Sequence, residues 1–179
     1  MSIFKGSAVA LVTPFTETGV NLKELRRLID FQIENGTAAL VICGTTGEPS
    51  TMSKEEKRLV IKTAVEHTAG RVPVIAGTGG NNTAAVAEDS VAAKELGADA
   101  LLLVTPYYNK CSQEGLVRHF FKVADAAKLP MIIYNVPGRT GLNVLPKTYV
   151  RLMENPYIVG IKEASGNISD IARVKAICG

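Results

Sequence analysis

Short apolar, β-branched runs alternate along this chain with longer segments whose apolar residues recur at helical spacing, the pattern of parallel strands joined by crossover helices. Six such units can be read. A strand over residues 8–12 precedes a helix opening at Asn21 as N-cap, with Leu22, Leu25, Leu28, Ile29 and Ile33 on one face. A second strand, 39–43, precedes a helix from Ser53, where Glu56 completes a capping box. The third, 72–76, runs through Gly77, Gly79 and Gly80 into a helix over about 83–96. The fourth, 101–104, leads through Tyr107 and Tyr108 to a helix from about Ser112. The fifth, 131–134, and the sixth, 158–162, precede helices from near Pro146 and near Ile168.

The stretch from Glu34 to Leu40 resembles that from Glu95 to Leu101, two units later. Such repetition of helix-to-strand units predicts a closed TIM (β/α)8 barrel rather than an open sheet. No proline-rich or low-complexity linker interrupts the units, so residues 1–179 are expected to form one domain. Six units are two short of eight, in a fold that typically takes about 250 residues, so a partial barrel is expected.

Net charge is +3 from scattered Lys and Arg, with only the pairs Arg26–Arg27 and Lys57–Arg58 adjacent, which argues against a nucleic-acid partner. Cys43, Cys111 and Cys178 are far apart and lack CxxC spacing, so neither a disulfide framework nor a zinc site is implied and a reducing, cytoplasmic setting is expected. No apolar stretch reaches the roughly 18 residues of a membrane span, and no membrane association is expected. His67 and His119 stand alone in helical patterns, which argues against a metal site, and Gly-x-Ser-x-Gly does not occur.

The chain's most informative stretch is Tyr157 to Gly166, in which Lys162 ends an apolar strand. Alternation puts Ile158, Gly160 and Lys162 on one face. An amine shielded there loses preference for its protonated form, and the neutral amine is the nucleophile that forms a Schiff base with a ketone. A lysine that covers apolar surface with its stem and pairs with Glu163 is the simpler alternative. Thr45 and Thr46, in Gly44-Thr45-Thr46-Gly47-Glu48, suit a carboxylate, although a glycine-bracketed turn explains them more simply. Tyr134 ends its strand with a phenol able to relay a proton, or is a core tyrosine. Tyr107 and Tyr108 fit packing or an oligomer interface as readily as catalysis, and Arg139 fits a carboxylate fork or a surface ion pair. A lysine, a tyrosine, hydroxyls and an arginine make up equipment for cofactor-free imine chemistry on a keto acid.

Four motifs in order, Gly44-Thr45-Thr46-Gly47-Glu48, Thr105-Pro106-Tyr107-Tyr108-Asn109, the run from Tyr134 to Gly141, and the run from Gly160 to Gly166, resemble the dihydrodipicolinate synthase family. The wider N-acetylneuraminate lyase superfamily shares the lysine and tyrosine, and Pro137-Gly138-Arg139-Thr140-Gly141 points to the synthase branch. The resemblance implies a lysine-biosynthesis enzyme that condenses pyruvate with L-aspartate 4-semialdehyde through an imine on Lys162, without a cofactor. It implies proton relay by Tyr134 with Thr45 and with Tyr108 from a neighbouring subunit, pyruvate carboxylate binding by Thr45 and Thr46, and a semialdehyde clamp in Arg139. A homotetramer built from tight dimers is also implied. Two departures stand out. The last two barrel units and the C-terminal helical region of the family are absent, so little activity and some tendency to associate are expected of this chain alone. This chain has Lys54, Lys57 and Ala85 where the resemblance implies histidine and glutamate around an interface pocket in the family's lysine-inhibited members, so weak or absent feedback inhibition by lysine is expected. Another pyruvate-dependent aldolase of the superfamily, or an inactive fragment, are the alternatives.

Overall fold

A computed structural model describes residues 3–179. The described chain divides into two compact units: the part up to Thr78 with Ala92–Leu102, and Gly79–Val91 with Leu103–Gly179. The elements run β1 (Ala8–Ala10), β2 (Phe15–Thr16), β3 (Gly19–Val20), α1 (Leu22–Glu34), β4 (Ala39–Ile42), α2 (Lys54–Thr68), β5 (Val74–Gly77) and α3 (Thr83–Glu95). They continue with β6 (Ala100–Val104), α4 (Gln113–Ala127), β7 (Met131–Asn135), α5 (Pro137–Thr140), α6 (Pro146–Leu152), β8 (Ile158–Glu163) and α7 (Ile168–Cys178). Strand order is β1-β4-β5-β6-β7-β8, so the strands of successive βα units are neighbours, as the barrel reading requires. All six expected strands and their helices are present. The small β2–β3 antiparallel ribbon was not expected, because two-residue strands carry no readable periodicity.

In the first unit, Asn21 Oδ1 accepts from the Glu24 amide at 3.1 Å and starts α1, whose Leu25 and Ile29 are buried. The capping box at Ser53 is formed in both directions, at 2.8 and 3.1 Å. Every residue of β4 is buried, which is why it reads as a continuous apolar run rather than an alternating one. His67 is not isolated: its Nε2 meets Asp30 at 2.8 Å, and Arg71 reaches the other oxygen of the same carboxylate at 2.8 Å. These contacts hold the Asp30 carboxyl below its ordinary range and tie α1 to α2.

In the second unit, Ser112 caps α4, whose Leu116, Phe120 and Val123 are fully buried, each worth roughly 1.5–3 kcal/mol by area. His119 shares this buried face. Its Nδ1 meets Thr83 Oγ1 at 2.9 Å, its Nε2 has no partner among the described residues, and burial pushes its pKa from 6.5 down to about 4. The unfolded chain therefore takes up this proton first. Stability contributed by neutral His119 is present above about pH 6.5 and is lost as pH falls toward 4, at about 1.4 kcal/mol per pH unit. Urea unfolding at a series of pH values should show His119→Gln with a correspondingly flatter acid limb than the unsubstituted chain.

Candidate active site

The Thr45–Thr46 loop is shaped by an unusual end to β4. Cys43 is buried with φ 56°, a left-handed conformation that a non-glycine residue holds only at a cost of order 1–3 kcal/mol. The carbonyl it re-aims lies where a Cβ on Gly77 would be: such an atom would stand 2.2 Å from Cys43 O and 2.9 Å from Gly44 N. Gly77 is therefore glycine because of space and not because of φ. The chain then makes a 3-10 turn over Thr45–Gly47 and a left-handed step at Glu48, φ 54°. Thr13 Oγ1 donates to Gly47 O at 2.8 Å in a buried bond that fixes the turn from below. Thr45 and Thr46 are exposed, and their hydroxyls make no hydrogen bond among the described residues. Burial pushes the neighbouring Cys43 thiol up to about 12, so it is an inert packing group.

The second unit carries the remaining candidates. Tyr134 and Lys162 face each other across the parallel β7–β8 ladder, and Lys162 Nζ lies 4.2 Å from the centroid of the Tyr134 ring. Tyr134 is 8% exposed and its backbone carbonyl accepts from the Thr105 amide at 3.2 Å, which ties it to the start of the Thr105–Asn109 loop. Lys162 is exposed as a whole residue, yet its neighbours remove enough water to lower its pKa below the ordinary lysine value. It makes no ion pair among the described residues.

The pairing of Lys162 with Glu163 that the simpler alternative requires is not made among the described residues. The Glu163 carboxylate accepts instead from Asn135 Nδ2 at 3.0 Å to each oxygen, from Tyr149 OH at 3.1 Å and from the Ser165 amide at 2.9 Å. Adjacent residues of a strand point to opposite faces, so the carboxylate next in sequence to the amine is directed away from it. Burial, and then Glu163, raise the Tyr149 pKa, so its hydroxyl stays a donor. The alternation expected through Ile158, Gly160 and Lys162 is also interrupted, because the register shifts between Met131↔Ile158 and Ile132↔Gly160.

Arg139 sits in α5, a single turn with Pro137 at its start and Gly141 at φ 69° after its end. It is exposed and without an ion pair among the described residues. Tyr108 is 87% exposed and held at φ 74°. Gly77, Thr13, Asn135 and Tyr149 were missed in sequence. Nothing local marks them, since their importance lies in contacts 8 to 34 residues away.

The profile described as the dihydrodipicolinate synthetase family matches residues 3–179. The chain belongs to this family. A 4-hydroxy-tetrahydrodipicolinate synthase of Clostridium acetobutylicum is 57% identical over 178 residues, covering 99% of this chain. The chain spans 61% of that relative's length. Among solved structures, dihydrodipicolinate synthase from Aquifex aeolicus superposes with a TM-score of 0.96 at 46% identity, over 98% of this chain and 60% of its own. The chloride-inhibited dihydrodipicolinate synthase of Acinetobacter baumannii, complexed with pyruvate, gives 0.95 at 51% identity, over 99% and 62%. The run of βα units is thus the dihydrodipicolinate synthase form of the TIM-barrel fold, for the part of those chains that this one matches.

Proposed function

We propose that the chain carries the imine-forming machinery of a lyase that condenses pyruvate with L-aspartate 4-semialdehyde to 4-hydroxy-tetrahydrodipicolinate, in lysine biosynthesis. The observation that carries this reading is Lys162 itself: an amine at the carboxyl end of a parallel strand, with a lowered pKa, no carboxylate partner among the described residues and a tyrosine ring 4.2 Å away. Its neutral form adds to the pyruvate ketone, water leaves, and loss of a methyl proton gives the enamine. The enamine carbon attacks the aldehyde, and the second substrate's amine then displaces Lys162 as the ring closes. No cofactor is needed, because the imine itself is the electron sink.

In this proposal Tyr134, with Thr45 and Tyr108, moves the protons, Thr45 and Thr46 take the pyruvate carboxylate, and Arg139 takes that of the semialdehyde. The hydroxyls of Thr45 and Thr46 and the Arg139 guanidinium have no partner among the described residues, which supports it, since binding then displaces no hydrogen bond between those residues. Tyr108, exposed and strained, suits a side chain offered to another copy, and a homotetramer of tight dimers is proposed accordingly. A cytoplasmic setting is part of the proposal and is supported by three free cysteines. No helix among the described residues is long and apolar enough to cross a membrane.

The test is borohydride reduction in the presence of pyruvate, followed by peptide mass spectrometry. The expected result is one pyruvate adduct, on Lys162. Labelling spread over other lysines, or none at all, would remove the imine assignment.

A further inference from the structure

We propose that Glu163 is a positioning residue for Lys162, holding the register of β8 against β7 so that the amine stands beside Tyr134. The inference rests on the imine reading of Lys162. The β7–β8 ladder contains one extra residue on β8: Met131 pairs with Ile158 but Ile132 pairs with Gly160. Beyond the irregularity, Ile133 pairs with Ile161, Tyr134 with Lys162 and Asn135 with Glu163.

A ladder without the extra residue would pair Tyr134 with Ile161 and Asn135 with Lys162. Because side chains alternate, that one-residue change would carry the amine to the other face of the sheet. Apolar burial does little to choose between the two registers, since Val159 is 43% exposed and Ile158, Gly160 and Ile161 are only half-buried.

The polar network behind the strand does choose. Asn135 is 1% exposed and uses its whole amide: Nδ2 donates to Glu163 and to Asn143 Oδ1 at 2.8 Å, while Oδ1 accepts from the Val144 amide at 3.1 Å. Tyr149, also 1% exposed, brings its hydroxyl from α6 to the same carboxylate. The Ser165 amide closes the turn after the strand onto it. Four donor contacts from three places thus converge on one acceptor-only group. In the shifted register Asn135 and Tyr149 would face an ammonium that can only donate, leaving buried donors unmatched. Glu163 therefore fixes which face Lys162 occupies, although it never touches the amine.

Glu163→Gln keeps the shape but turns an amide N–H against donors. Two readouts apply to the chain. Hydrogen exchange at residues 158–163 should quicken by about tenfold or more, while residues 39–42 are unchanged. The maximal rate of pyruvate trapping at residue 162 should fall by about tenfold or more, with the half-saturating pyruvate concentration shifted by less than about twofold. Tyr149→Phe removes a single donor and should cost about threefold or less in trapping. Asn135→Asp combined with Glu163→Gln exchanges donor for acceptor and should restore trapping to within about threefold of the original.

Unchanged exchange and trapping in Glu163→Gln would overturn the proposal, as would exchange that quickens equally everywhere without rescue in the double variant. If the unsubstituted chain is not labelled at Lys162, the imine reading fails and the trapping role with it. Local exchange at 158–163 and its rescue in the double variant would then still judge the register lock separately.

Discussion

Lys162→Arg is expected to reduce pyruvate-dependent borohydride labelling at residue 162 to background while leaving the fold in place. Arginine keeps a cation near the Tyr134 ring, so the 4.2 Å cation–π contact can be retained and stability should change by less than about 1 kcal/mol. What it lacks is an accessible neutral form: the guanidinium stays protonated at any working pH and cannot add to a ketone. Lysine at this position already has its pKa lowered by partial burial, which raises the fraction of nucleophilic amine near neutrality. The comparison therefore separates the charge from the chemistry. Unaltered circular dichroism with lost labelling is the expected pair of results. Persistent labelling of the arginine variant would place the ketone on another lysine.

Gly77→Ala is expected to cost about 3 kcal/mol or more, seen as a lowered urea midpoint, although it adds a single methyl group. The added carbon would stand 2.2 Å from Cys43 O and 2.6 Å from Cys43 C, and both are backbone atoms that no rotamer change can move aside. Relief requires β4 and β5 to separate at their carboxyl ends, where the ladder pairs Ile42 with Ala76, or requires Cys43 to leave its φ of 56°. Either change re-aims the turn that carries Thr45 and Thr46. Gly138→Ala is the matching control. Apart from its chain neighbours and the backbone of its own turn, no atom lies within 4 Å of its ideal Cβ, and its φ is not left-handed, so a change of no more than about 0.5 kcal/mol is expected. Similar losses in the two variants would show that the close approach of Gly77 to Cys43 is not what limits this position.

The order of strands and helices was legible because each depends on local pattern. The apolar run of β4, the Asn21 cap and the Ser53–Glu56 box are properties of a few neighbouring residues, and the structure forms them where the spacing indicates. The position of Lys162 at a strand end was legible for the same reason, and the family motifs added which lysine, tyrosine and arginine to watch. Boundaries moved by one or two residues where tertiary contacts extend or cut a strand, as at Gly77, Glu163 and Cys43.

Partnership was not legible. Sequence adjacency suggested Glu163 for Lys162, but strand alternation turns neighbours to opposite faces, and the carboxylate belongs to Asn135, Tyr149 and Ser165. His67 looked solitary because Asp30 lies 37 residues away on another helix. The reason for glycine at 77 exists only when β4 and β5 lie side by side. The sequence by itself thus determined the elements, their order and the chemical types at the strand ends, because short-range periodicity and capping act within about one or two turns of chain. The tertiary structure alone decided which face each of those groups occupies, which hydrogen bonds hold it there and where the backbone must lack a side chain, because these depend on register and on atoms far apart in the chain.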